Sequence, residues 1–221
     1  MSVNLYRRWG KRIFDLALTI PILIISAPLI VIIAVIVHQK LGSPVLFSQQ
    51  RPGLNSEPFT IYKIRTMTDD RDPNGMPLPD SERLTPFGKF LRITSLDELP
   101  ELLNIIKGDM SLVGPRPLFM EYLPDYTENE RIRHSVRPGL TGLSQITGGR
   151  ELPWNQSLEL DVKYVQRMSL WLDLLIIVKT IPSILKRKDV GPTGTRYPPL
   201  HIERSLERET GDIRITGGHD D

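Results

Sequence analysis

From Ile13 to Val37 the chain is almost wholly apolar, interrupted only by Asp15, Thr19, Pro21, Ser26 and Pro28. As one straight helix its roughly 25 residues would reach ~37 Å, enough for a bilayer hydrocarbon core of ~30 Å. The run is too long for a signal-peptide core, and no small-residue cleavage site follows it. A single transmembrane helix is one reading. Pro28 supports another, because it frees the Ile24 carbonyl and bends the helix, with Ser26 placed to repair the broken bond. Folded back there, each arm of about 12 residues would span ~18 Å, roughly half the hydrocarbon thickness. Arg7, Arg8, Lys11 and Arg12 precede the segment, and Lys40 and Arg51 follow it. Both flanks then read as cytoplasmic, which a straight span cannot satisfy. From pattern alone the two geometries stand level.

After Leu41 the pattern changes to short alternating runs. Val45-Leu46-Phe47, a turn at Arg51-Pro52-Gly53-Leu54-Asn55, and Phe59 to Lys63 predict a β-hairpin. Lys63 and Arg65 leave its end on alternate residues of one face. Residues 69–86 are polar and proline-rich. Asp70, Asp72, Asn74 and Gly75 nearly match a calcium loop, but the twelfth position is Ser81 and no helical pattern flanks it, so a connector is expected. Glu151 to Met168 reads as a helix with Leu158, Val162 and Val165 inward. From Leu170 to Lys188, Asp173, Lys179, Thr180, Ser183 and Arg187 share one narrow side and the rest is apolar. That suits a helix lying in a membrane interface, with a core helix kinked at Pro182 as the competing reading. Residues 189–221 are polar and glycine-rich, and predict a tail that is extended or packs on a partner subunit of a homodimer.

The candidate chemistry lies between Arg92 and Pro117. Leu99, Leu102, Leu103 and Ile106 form an apolar helical stripe that Gly108 ends. Ser95, three residues before Glu98, matches a capping box and predicts that Asp97 and Glu98 occupy the first helical turn. A helix favours acids there whatever its function. The company is what shifts the reading: Arg92 upstream, Asp109 beyond the helix, and Arg116 between Pro115 and Pro117. Proline on both sides removes backbone freedom, so Arg116 loses less entropy on clamping an anion. Paired carboxylates near a stiffly held cation suit phosphate-ester chemistry with a metal ion.

The 221 residues allow one domain with appendages, drawn here at 1–40 (membrane helix), 41–188 (catalytic domain) and 189–221 (tail). A net charge of +2 does not argue for nucleic acid, and the cations gather instead beside the apolar segment and at Lys186-Arg187-Lys188. The absence of cysteine excludes disulfides, a thiol nucleophile and thiolate metal sites. His38, His134, His201 and His219 lack ligand spacing.

Several motifs in order resemble the bacterial sugar transferases, or monotopic phosphoglycosyl transferases. They are Lys63-Ile64-Arg65-Thr66-Met67, Ser95 to Pro100, Gly108 to Pro117, and Arg137-Pro138-Gly139-Leu140-Thr141-Gly142, within a likeness running from about Lys11 to Lys186. The resemblance implies an α+β, mostly helical fold: a re-entrant membrane helix bent near Ser26 and Pro28, and a small cytoplasmic catalytic domain carrying the hairpin and interfacial amphipathic helices. It implies a bacterial inner-membrane enzyme, facing the cytoplasm, that moves a phosphosugar from a UDP-sugar to a polyprenyl (undecaprenyl) phosphate. The pathway would be polysaccharide or glycoconjugate assembly, exopolysaccharide among the options. Asp97 would be the nucleophile and Glu98 a ligand of Mg2+. Lys63, Arg65, Arg92, Arg116 and Arg150 would neutralise phosphate. Asp161 and Tyr164 match a D-x-x-Y pair that reads as a hydrogen bond to the core. Two departures stand out: Ser26-Ala27-Pro28 replaces the family's Ser-Pro, and Ile64 replaces an aromatic residue.

Two other functions fit the same residues. A phosphotransferase could use direct displacement, in which case Asp97→Asn would keep appreciable activity. A non-catalytic membrane adaptor could carry Asp97 and Glu98 merely as a helix cap. The adaptor reading has to account for cations converging on one acid pair without an anion, which is costly.

Overall fold

In the computed structural model, which describes residues 5–185 and 197–210, the apolar segment forms helix α1, Lys11–Leu41, after a π-helical stretch at Tyr6–Gly10. The side chains of residues 150 and 207–210 lie outside that description, as do the basic run 186–188 and residues 189–196 and 211–221 of the tail. Helix α1 continues through both Pro21 and Pro28. Ser26 Oγ donates to the Leu23 carbonyl at 3.3 Å, and so does not cap the Ile24 carbonyl that Pro28 frees. Tyr6–Leu41 is, among the described residues, the one helical stretch long and apolar enough to cross a membrane.

The two ends of α1 both pack on the body of the protein, while no residue between Thr19 and Ile33 is buried. At the first end, Arg12 donates to the carbonyls of Ile105 and Ile106 at 2.5 and 2.7 Å. Asp15 accepts from Ser111 Oγ at 2.7 Å and from the Leu112 amide at 3.2 Å. Lys11 bridges Asp15 and Asp173 at 3.0 and 2.8 Å, and Tyr6 and Tyr164 donate their hydroxyls to Asp173. The acid that interrupts the apolar run is therefore part of a buried polar joint, where every charge has partners. At the second end, Ile33 and Val37 pack with Ile64 and Leu91. There Arg65 donates to the carbonyls of Leu41 and Gly42, satisfying orphan acceptors of the helix C-terminus.

The hairpin forms as expected, with β1 (Leu46–Pro52) antiparallel to β2 (Pro58–Ile64) in a register from Leu46↔Ile64 to Pro52↔Pro58. Helix α2, Pro86–Thr94, follows, its first turn capped by Thr85 Oγ1 on the Gly88 amide at 2.9 Å. Helix α3, Glu101–Lys107, leads into β3, Ser111–Val113, which pairs in parallel with β4, Gly139–Thr141. Helices α4 (Leu143–Thr147) and α5 (Trp154–Arg167) close the core around Leu102, Ile105, Met110, Tyr164 and Ile176. In the polar loop, Asp72 accepts from the amides of Asn74 and Met76, so the calcium-like spacing serves a turn.

Helix α6, Leu170–Leu185, turns Asp173, Ile176 and part of Thr180 inward, while Lys179 of the same polar line is exposed. Asp173 lies in the buried joint and Thr180 meets Thr141 at 2.7 Å, whereas Trp171 is 76% and Leu185 80% exposed. A core helix would bury that apolar face. The tail expectation needs correction where it is described. Helix α7, Leu200–Thr210, packs Leu200 against Tyr122, Tyr126, Trp154 and Leu158 of the same chain. Trp154 Nε1 donates to the Pro198 carbonyl at 2.8 Å, and Arg204 pairs with Glu130 at 2.6 Å. A single buried leucine and a tryptophan hydrogen bond are hard to foresee in so polar a stretch.

Candidate active site

The two acids do not sit in the first turn of α3. Ser95 adopts φ 56°, the left-handed conformation that ends α2, and its amide bonds to carbonyls of that helix. A residue so placed cannot also be an extended N-cap, so the capping box does not form. Leu96–Glu98 instead makes a separate 3-10 turn, and Pro100 precedes α3. Asp97 and Glu98 are thereby held on a short, rigid corner between two helices.

Glu98 Oε1 receives two cations, Lys63 Nζ from the end of β2 at 2.7 Å and Arg116 Nη2 at 2.6 Å. Lys63 Nζ also lies 3.1 Å from Glu101 Oε1, an ion pair not aligned as a hydrogen bond. Burial opposes ionisation of Glu98, but the charges and hydrogen bonds of Arg116 and Lys63 overcome it and hold the carboxyl well below its usual range. Asp97, only 8% exposed, responds in the other direction. Burial and the neighbouring Glu98 charge push it up to about 6, against the pull of Lys63, Arg92 and Arg116. Glu101 is pushed up to about 7 by burial, with Glu98 adding to the rise and Lys63 opposing it. Two adjacent carboxylates are thus differentiated: Glu98 is locked as an anion, and Asp97 is less fully paired.

Arg116 owes its position to a close-packed backbone. A Cβ on Gly139 would lie 2.1 Å from the Gly114 nitrogen, and one on Gly142 would lie 2.3 Å from the Gly114 oxygen. Only glycine lets these strands approach so nearly. The loop is tied by Gly114 N to Thr141 O and Gly139 N to Pro115 O, each 2.9 Å. Arg133 Nη2 donates to the Arg116 carbonyl at 2.6 Å and to Asp161 Oδ2 at 2.8 Å. Asp161 also accepts from Ser144 Oγ at 2.8 Å, and the Tyr164 hydroxyl, whose one proton is shared with Asp173, lies 2.9 Å from the Val113 carbonyl. The Asp161-x-x-Tyr164 pair therefore clamps both sides of the Arg116 loop from α5.

Of the five candidate cations, Lys63 and Arg116 meet the acid pair directly. Arg92 donates to Thr66 Oγ1 at 3.0 Å and acts on Asp97 through its charge. Arg65 is engaged elsewhere, with the carbonyls at the end of α1 and with Asp69 at 2.8 Å. The Arg150 side chain lies outside the described residues. Sequence reasoning missed Glu101, Arg51 and Arg133. Glu101 carried a signal, being one helical turn beyond Glu98; Arg133 lies in an unremarkable polar stretch.

Among the described residues no group of three His, Cys, Asp or Glu side chains is arranged to hold a metal alone. Lys63 and Arg116 both bond Glu98 through Oε1, so its Oε2 is the oxygen that could help hold a hard divalent cation, whose other positions substrate phosphate and water would fill.

The sequence matches the family model for bacterial sugar transferase over residues 6–187. It is 50% identical to EpsL of Bacillus subtilis, described as an uncharacterized sugar transferase, across 92% of this chain and 98% of that protein. It is 39% identical to the UDP-glucose:undecaprenyl-phosphate glucose-1-phosphate transferase of Caulobacter vibrioides, covering 79% of this chain and 69% of that one. The undecaprenyl-phosphate galactose phosphotransferase of Salmonella typhimurium is 36% identical over 81% of this chain, which spans 41% of that longer protein. The chain belongs to the bacterial sugar transferase family.

Proposed function

We propose that this protein transfers a phosphosugar from a UDP-sugar to undecaprenyl phosphate, in two steps through Asp97. First an Asp97 oxygen attacks the sugar-bearing phosphorus; the bond from that phosphorus to the UMP oxygen breaks, and UMP leaves. The product is an aspartyl phosphosugar. Then a phosphate oxygen of the polyprenyl phosphate attacks the same phosphorus and the acyl-phosphate bond breaks. Polyprenyl diphosphate sugar leaves and the Asp97 carboxylate is restored.

The observation that carries this reading is the convergence of Lys63 and Arg116 on Glu98, beside an Asp97 that is buried and less fully paired. With its pKa near 6, Asp97 is mostly ionised at neutral pH and available to attack. Lys63, Arg92 and Arg116 would offset charge on the transferring phosphoryl group. A magnesium ion held by Glu98 would add charge neutralisation on the diphosphate when bound. The adaptor alternative loses its premise, since the acids do not cap a helix.

The same reading places the protein on the cytoplasmic face of the bacterial inner membrane, with α1 re-entrant. It is supported by the two ends of α1 resting on one body while its middle stays exposed, and by cations on both flanks. The outward apolar face of α6 supports contact with the same interface, where the acceptor's phosphate would enter.

The test is UMP release from a panel of UDP-sugars with magnesium and detergent-solubilised polyprenyl phosphate. Release with one donor that is lost in Asp97→Asn supports the reaction. Release that persists undiminished in the variant contradicts Asp97 as nucleophile.

A further inference from the structure

Arg51, near the end of β1, is a further cation, within electrostatic reach of Arg116 and Glu101. Its guanidinium carbon lies 3.8 Å from the centroid of the Phe119 ring. That ring is braced edge-on by Tyr122 at 5.4 Å, which in turn meets Trp154 at 5.5 Å. Stacking through the guanidinium face consumes none of its N–H donors, and only Nη2 is engaged, on Gln49 Oε1 at 2.7 Å. No carboxylate of the described residues lies within ion-pair distance of it. The next residues, Pro52 and Gly53, line a crevice shared with Pro115, Arg116, Pro117 and His134. Burial, and then the positive charge of Arg116, draw Arg51 down to about 10 against the opposing pull of Glu101, Tyr122 and Glu121.

Two guanidiniums that repel each other, one of them with no carboxylate at ion-pair distance, are better tolerated when an anion joins them. Glu98 is already shared by Lys63 and Arg116. A flat guanidinium fixed on an aromatic ring is pre-organised for bidentate contact with phosphate. We infer that Arg51, held on Phe119, is a phosphate-binding residue that works with Arg116 on a second phosphate group beside the one that reacts at Asp97. The identity of that group rests on the function proposed above: it is the uridine-side phosphate of the donor or the monophosphate of the acceptor.

Direct binding tests this without relying on turnover. Calorimetry on the full chain in detergent would compare UDP and a short-chain polyprenyl monophosphate as ligands. The proteins are wild type, Arg51→Ala, Arg51→Lys and Phe119→Leu, each with its melting temperature recorded. Arg51→Ala should weaken one ligand at least about tenfold, the scale of a lost charge-assisted hydrogen bond. Arg51→Lys should recover only part, because it keeps charge but not the planar fork, and Phe119→Leu should fall between. Loss confined to UDP assigns the donor phosphate, and loss confined to the monophosphate assigns the acceptor. Affinities within twofold for both ligands overturn the inference. So does an equal weakening of both ligands that tracks a lowered melting temperature in all three variants, which marks a structural role. Because the readout is binding, an absence of UMP release would count against the proposed reaction and not against this site.

Discussion

Arg133 donates to the backbone carbonyl of Arg116 at 2.6 Å while its charge is matched by Asp161 at 2.8 Å. The residue that grips Glu98 is thus aimed by a second, deeper arginine that touches none of Asp97, Glu98 and Glu101. Both members of the deeper pair are almost fully buried. Breaking such a pair strands a charge in the interior, at a cost of about 3–5 kcal/mol. Arg133→Ala should lower stability by that amount in urea unfolding of the detergent-solubilised protein. Asp161→Asn should be nearly as severe, since it leaves Arg133 buried and uncompensated.

Arg65 is expected to matter for the end of α1 and not for phosphate. Arg65→Ala removes donors from the Leu41 and Gly42 carbonyls and should destabilise the fold by about 2 kcal/mol. Turnover per folded molecule should stay within a few-fold of wild type. A loss of turnover above 100-fold with unchanged melting temperature would return Arg65 to the substrate site.

Glu98 tunes its neighbour as well as holding cations. Asp97 must be ionised to attack, so kcat/KM should rise with pH through about 6 and level off above it. Glu98→Gln removes a negative charge that raises Asp97, and should shift this acid limb to lower pH. It also leaves Lys63 and Arg116 without the carboxylate they share, so activity on the plateau should fall about 100-fold or more. An acid limb that does not move would mean that the limb belongs to another group.

His134 makes stability sensitive to acid. Burial and the positive charge of Arg133 push its pKa down to about 3, so the folded protein keeps it neutral. The unfolded chain takes up a proton near pH 6.5, so the contribution is fully present above that value and is lost as pH falls toward 3. Its largest slope is about 1.4 kcal/mol per pH unit. Subtracting the stability curve of His134→Gln from that of wild type should expose this slope. Parallel curves would show that His134 does not titrate differently in the two states.

Much of this architecture was legible because local pattern and tertiary demand agree. The hairpin and helix α5 follow their periodicities, and the Pro-Arg-Pro run announced a fixed cation. Ser95 was misread because two helices compete for it; its spacing from Glu98 suits a cap of the second, but its backbone ends the first. Asp15 and Asp173 looked like isolated acids in apolar segments because their partners are remote in sequence, Ser111 lying 96 residues from Asp15. The contacts of Arg65 are hidden in the sequence for a similar reason. Alternation along a strand puts it on the same side as Lys63, but the chain's exit from β2 carries it to the end of α1. Likewise, the polar line on α6 suggested a wet side, whereas its acid is drawn inward by two tyrosines and a lysine from elsewhere.

The central claim is that the phosphosugar passes through Asp97. Incubating the enzyme with its UDP-sugar, without acceptor, and analysing the quenched peptides by mass spectrometry tests it most directly. The peptide carrying Asp97 should gain the mass of one phosphosugar, with about one UMP released per enzyme. Asp97→Asn should abolish the adduct, and added polyprenyl phosphate should discharge it. Rapid overall transfer with neither adduct nor acceptor-independent UMP release would contradict the claim and favour direct displacement.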